Sequence, residues 1–168
     1  MSSHMSITIR HSEKSDFEAI RDIYAQPSCY SNTLQLPFPS KDKWEQRLND
    51  APTNFYSLVA ISDQKIVGQL GMQTQLNPRR SHVANFGMGV DESCRNKGVG
   101  TKLLKEALDM ADNWLAITRI DLEVYTDNLV AKSLYEKFGF EVEGTARSYA
   151  FRNGQYADVF LMARVLPL

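Results

Sequence analysis

The chain has 168 residues, 43% hydrophobic and 23% charged, which suits one globular core and excludes disordered, collagenous and coiled-coil classes. Its 19 Lys and Arg stand against 20 Asp and Glu, a net charge of −1 with no block of like charges, so nucleic acid is not an expected partner. No apolar run reaches the roughly 18 residues of a membrane span and no signal-peptide pattern opens the chain, so no membrane partner is expected and a cytoplasmic location is the default.

Ser2, Ser3 and His4 read as a cloning remnant before a start at Met5, which leaves 5–168 as one domain. Ile7 and Ile9 alternate with polar neighbours in a short strand, and Ser15 then caps a helix on Phe17, Ile20, Ile23 and Tyr24. From Pro27 to Pro39 three prolines predict an irregular stretch, after which Ser40 opens a helix carrying Trp44 and Leu48. Tyr56 to Ile61 and Ile66 to Met72 predict an antiparallel hairpin, followed by a turn over Asn77, Pro78, Arg79 and Arg80. Ala84, Phe86, Met88 and Val90 alternate along a strand that leads into a glycine-rich loop and a helix on Leu103, Leu104, Ala107, Leu108, Ala111 and Leu115. Another strand carries Ile120, Leu122 and Val124. A helix from Leu129 to Phe138 follows, stopped by Gly139 as a left-handed cap, and Asn153-Gly154 marks a C-terminal β-hairpin. The expected fold class is α+β: a single mixed, mostly antiparallel sheet with helices on both faces. The strands of Ala84 and Ile120, joined by a helical crossover, should lie parallel. Cys29 and Cys94 are too few for a disulfide framework and too isolated for zinc, so no metal is expected.

The loop Arg95-Asn96-Lys97-Gly98-Val99-Gly100-Thr101 sits between a strand and a helix N-terminus, where unpaired N–H groups and the helix dipole favour an anion. Side chains at Gly98 or Gly100 would keep a diphosphate from the amides, while Arg95, Lys97 and Lys102 add positive charge. The spacing fits neither a dinucleotide fingerprint nor a Walker loop. A tight turn on a solvated basic rim accounts for the same glycines.

Thirty residues on stands Asn128-Leu129-Val130-Ala131-Lys132-Ser133-Leu134-Tyr135-Glu136-Lys137-Phe138-Gly139-Phe140. With Arg95-x-x-Gly98-x-Gly100, this run resembles the two core motifs of the GNAT superfamily of acyl-CoA-dependent N-acetyltransferases, in the right order. The C-terminal Gly139 to Thr145 and Arg152 to Arg164 segments, with Asn32 to Gln35 and Pro78 to Val83 upstream, are similar to bacterial L-amino-acid N-acetyltransferases. The similarity spans nearly the whole chain. It implies an acetyltransferase with acetyl-CoA as cosubstrate, a small-molecule amine as acceptor, and a possible homodimer.

That resemblance also implies roles. Met88, Gly89 and Val90 would lie against the pantetheine arm on a strand that splays from its neighbour, with Gly87 and Gly89 suiting a bulge. The amides from Lys97 through Gly98, Val99 and Gly100 to Thr101 would hold the pyrophosphate, with Arg95 and Asn96 at its edge. Asn128 would hydrogen-bond the pantetheine, and Tyr135 falls where the family places its general acid. A phenol of pKa about 10 suits a thiol leaving group of about 8.5. Asn85 stands where many members carry a glutamate, and an amide takes no proton from an ammonium ion. It can orient a water or the amine, which leaves a water chain, His82 or Glu92 open as the base. Cys94 lies beside Arg95 and Lys97 but has no histidine nearby in sequence, so direct transfer is favoured over an acyl-cysteine route.

Tyr30 to Phe38, including Asn32 and Leu36, together with Arg80 beside Arg79, and Tyr149 and Phe151, are expected around the acceptor pocket. Aromatic walls and a cationic rim suit an apolar amino acid with a free carboxylate, although hairpin packing and a solvated turn explain the same residues. Two alternatives stay open: acetylation of a protein N-terminal α-amine, and a silent acetyl-CoA sensor.

Overall fold

The computed structural model describes residues 5–167, so the cloning-remnant expectation for Ser2 to His4 lies outside the described residues. The chain order is β1 (Thr8–His11), α1 (Phe17–Tyr24), α2 (Pro27–Ser31), α3 (Lys41–Asn49), β2 (Phe55–Ser62), β3 (Lys65–Thr74), β4 (Val83–Val90), α4 (Val99–Asn113), β5 (Arg119–Tyr125), α5 (Leu129–Lys137), β6 (Glu141–Arg152) and β7 (Gln155–Val165). The strands form one seven-stranded sheet in the order β1-β2-β3-β4-β5-β7-β6, antiparallel throughout except for the β4–β5 pair.

Side-chain alternation assigns the two faces. Leu58, Ala60, Leu70, Met72, Ile120 and Leu122 face α4, whose Leu103, Leu104, Ala107, Leu108 and Ala111 are buried against them. Each fully buried leucine there contributes about 1.5–3 kcal/mol. Ala131, Leu134 and Tyr135 of α5 and the Phe138 that follows it pack on the same core. Val59 faces the other way, into a smaller cluster with Ile20, Ile23 and Tyr24 of α1, Cys29 of α2 and Trp44 of α3.

Two local expectations change. Ser15 is not the cap of α1: it lies inside a 3-10 turn over Lys14–Asp16, and the Asp16 carboxylate accepts the Glu13 N–H at 2.6 Å while pairing with Arg10 at 2.7 Å. An aspartate that can bond backbone and guanidinium together outcompetes a serine hydroxyl. The irregular stretch opens with the short helix α2, because Pro27 at its first turn loses an N–H that has no helical partner anyway. The other turns follow expectation: Gly139 stops α5 at φ +90°, and Asn153 and Gly154 turn the last hairpin at φ +50° and +79°.

Candidate active site

The site begins where β5 leaves β4. Only Val83–Asn85 pair with Arg119–Asp121; beyond them the strands separate. Asp91 N–H bonds Val67 O at 2.8 Å and Gln75 N–H bonds Val83 O at 3.0 Å, so the odd-numbered residues of β4 spend their backbone groups on β3. The even-numbered Met88 and Val90 therefore turn N–H and C=O into the gap. The Cys29 thiol donates to Val90 O at 3.3 Å. Gly87 and Gly89 do not form the expected bulge, since the β3–β4 register runs without a shift. Gly89 instead allows close approach: a Cβ there would stand 3.0 Å from the Tyr24 ring.

One end of the gap is the mouth of α4. Gly98 caps the helix at φ 85°, a conformation that penalises any side chain, and Asn96 adopts φ 59°. No side chain caps this helix, and its first backbone bond runs from Lys102 N–H to Gly98 O at 3.0 Å. The N–H groups of Val99, Gly100 and Thr101 are thus available to an anion. Arg95, Asn96, Gly98, Val99, Gly100 and Thr101 line a cavity of about 710 Å³ with Met88, Gly89, Val90, Asn128 and Tyr135. Lys97 does not line it, and the Lys102 ammonium is bound to Ile7 O, away from the loop. Asn128 caps α5 by accepting Ala131 N–H at 3.3 Å through Oδ1.

A second cavity of about 500 Å³ adjoins the first. Asn32, Thr33, Met88, Glu123 and Tyr135 line both. The Tyr135 ring meets Phe86 edge-on at 5.7 Å and Phe140 at 5.8 Å, and burial pushes its phenol up to about 12. Glu123, unremarked in the sequence, stands on the exposed side of β5 beyond its last pairing with β4. Desolvation, with the Asp121 carboxylate on the same face, holds its carboxyl above the ordinary glutamate value.

Aromatic rings wall the second cavity. Tyr24 stacks on Trp44 at 5.1 Å and donates its hydroxyl to Gln69 at 2.6 Å, while Gln69 donates to Ser57 at 3.0 Å. Tyr125 donates to Thr33 O at 3.0 Å and lies beneath Arg152, 4.3 Å from its ring centroid, which itself bonds Ser31 O at 3.1 Å. These contacts tie the C-terminal hairpin to the loop after α2. Tyr149 reaches the cavity through a register shift between Ala146 and Ala150, where Ser148 takes φ 50° and its N–H bonds Asp158 at 2.8 Å.

Among the residues expected around the acceptor, Asn32 and Tyr149 line the second cavity, whereas Leu36 is 78% exposed and lines neither. Arg80 is exposed on a 3-10 turn, 3.9 Å from Asp121, and also lines neither cavity. Asn85 sits at the last β4–β5 pair, outside both walls. His82 is exposed and outside them as well. Glu92 accepts the Ser28 hydroxyl and N–H, which hold it below the usual carboxylate range. Buried Cys94 lines the first cavity.

Comparison with known proteins agrees with this architecture. The family model described as "Acetyltransferase (GNAT) family" matches residues 17–140. The L-amino acid N-acetyltransferase AaaT of Escherichia coli (strain K12) is 52% identical over 95% of this chain and 98% of its own length. The N-alpha-acetyltransferase RimI of Mycobacterium tuberculosis is 39% identical over 81% of this chain and 84% of its own. The crystal structure of spermidine N-acetyltransferase from Vibrio cholerae in complex with CoA and spermine superposes with a TM-score of 0.85 at 27% identity, covering 95% of each chain. The chain belongs to the acetyltransferase (GNAT) family, and is an acyl-CoA-dependent N-acetyltransferase.

Proposed function

We propose that this enzyme acetylates the primary amine of a free L-amino acid, with acetyl-CoA bound in the 710 Å³ cavity and the amine in the 500 Å³ cavity. The observation that carries the reading is the wall the two cavities share, because it holds a phenol and a carboxylate with opposite jobs to do. The 52% identity to an L-amino acid N-acetyltransferase supports the choice of acceptor.

The donor cavity suits its ligand chemically. The amides of Val99, Gly100 and Thr101 and the Arg95 guanidinium fit a diphosphate, with Asn96 at its edge, and the open edge of β4 at Met88 to Val90 fits the amides of a pantetheine arm. Asn128 retains its Nδ2 donors for the same arm, since the helix cap uses only Oδ1. The bound thioester supplies the electrophilic carbonyl.

The protein then has three tasks. Glu123, directly or through a water, takes a proton from the acceptor ammonium. Its raised pKa improves the match to that work near neutral pH. Met88 N–H, turned into the gap, donates to the carbonyl oxygen as charge gathers there. Tyr135, protonated at any physiological pH, gives its proton to sulfur as the C–S bond breaks, after the C–N bond has formed; the nitrogen then releases its second proton to water, and water reprotonates the phenolate. Asn85 is left at most an indirect role in orienting water.

The same site shape bears on a second reading, acetylation of protein α-amines, since one relative is named an N-alpha-acetyltransferase. An aromatic pocket roofed by the hairpin favours the small acceptor. A thiol-release assay with acetyl-CoA across the twenty amino acids and several short peptides tests the choice: turnover of free amino acids above peptides is expected. Peptides alone as substrates would reverse it, and tight coenzyme binding without turnover on any amine would leave only a sensor.

A further inference from the structure

We infer that Arg47 is the specificity-determining residue that reads the acceptor's carboxylate, a role that rests on the amino-acid reading above and extends it. The expectation had placed the cationic rim at Arg79 and Arg80, but neither lines a cavity. Arg47, from the last turn of α3, does. It is the single cation among the residues lining the acceptor cavity, and Glu123 is the single anion. A zwitterionic amino acid carries the complementary pair, an ammonium for Glu123 and a carboxylate for Arg47. A polyamine has no carboxylate, and a peptide carries an amide where the free amino acid has its α-carboxylate.

Arg47 is also prepared for the task. Its guanidinium lies 4.5 Å from the centroid of the Trp44 ring, and Trp44 is fixed in turn by its stack on Tyr24. A guanidinium held over an aromatic ring can still offer its N–H groups to a bidentate partner. Among the described residues no carboxylate lies within ion-pair distance of Arg47, although Arg10, Arg21, Arg80, Arg119, Arg152 and Arg164 each have at least one. Lys41 of the same helix is paired outward, to Glu18 at 2.6 Å.

The test compares L-phenylalanine and L-leucine with their carboxamides, in the wild type, Arg47→Gln and Arg47→Lys. The amide has the more easily deprotonated amine, so each acceptor is compared with itself across variants. In Arg47→Gln the acid-to-amide ratio of kcat/KM falls roughly 10- to 100-fold, the range for deleting a charged hydrogen-bond partner, carried mainly by KM. Arg47→Lys restores part of it. Equal losses on acid and amide would make Arg47 a mere support of Trp44, and no loss on either would remove it from the site; both overturn the inference. Wild-type enzyme that turns over no amino acid sinks the amino-acid reading itself, a result visible before any variant is made.

Discussion

Gly100→Val probes the mouth of α4. A Cβ built on Gly100 stands 3.4 Å from Met88 Cε and 3.5 Å from Leu134 Cδ2, both on the wall of the donor cavity. Those are near-ordinary contacts, so Gly100→Ala fits and gains roughly 0.5–1 kcal/mol of helix propensity. The two further methyls of valine crowd the flexible Met88 thioether and screen the amides of Gly100 and Thr101. Losing two hydrogen bonds to a charged diphosphate, at about 1.5–3 kcal/mol each, weakens coenzyme A by at least about 100-fold. Calorimetric titration reads the affinity and thermal melting reads the fold. In the wild type, coenzyme at 100 times its Kd adds about 2.7 kcal/mol of stability. At about 2–4 °C per kcal/mol for a chain of this size, that is a rise of roughly 5–11 °C. Gly100→Val should melt near the wild-type temperature alone and show no such rise. A variant that melts normally and binds coenzyme A with native affinity would refute the assignment of these amides to the diphosphate.

Three further outcomes follow from the same geometry. Tyr135→Phe keeps the ring contacts with Phe86 and Phe140, so coenzyme affinity should hold within about twofold while kcat falls about 10²- to 10⁴-fold; an unchanged kcat removes the phenol from the mechanism. For Glu123 the sign runs through its raised pKa: the base must be ionised, so kcat climbs as pH rises through a value above the ordinary glutamate range, and Glu123→Gln loses that limb together with most of the rate. A wild-type limb that persists in the glutamine variant assigns the titration elsewhere. Finally, amide exchange followed by NMR should find Met88 less protected than Gly87 and Gly89, whose N–H groups bond β3, and coenzyme A should slow it; equal protection without ligand would contradict the open edge.

Local signals carried much of this fold. The apolar spacing of Leu103, Leu104, Ala107, Leu108 and Ala111 can bury one helical stripe only, and it does. Gly98 and Gly100 mark a helix start that nothing but backbone can furnish, and the donor cavity forms there. Glu123 left no comparable trace. Between Leu122 and Val124 it reads as any outward residue of a half-buried strand, because period-two alternation separates the faces of a sheet and says nothing about where a neighbouring strand departs. Arg47 was hidden for a related reason: a spacing of three on α3 sets it over Trp44, but that this pair faces a cavity is a tertiary fact, fixed by Trp44 stacking on Tyr24. Arg80 had the more conspicuous sequence context, yet its turn projects outward toward Asp121. Tyr149 was legible as an aromatic in a hairpin, while the register shift that brings it inward was not.

The divergence of β4 and β5 explains why donor and acceptor chemistry meet at one place. A sheet that stayed paired would satisfy Met88 N–H and C=O with β5 and leave no opening beside Glu123. Separation after three paired positions leaves those groups facing the gap, at a cost of about 1–3 kcal/mol for each one buried without a partner. The large shared core under α4 can carry that cost, and a ligand with amides of its own relieves it. Tyr135 and Glu123 both line the wall that the two cavities share, so the acid and the base proposed above would meet one thioester at this opening. One break in strand pairing thereby opens the groove on which the proposed donor and acceptor chemistry depends.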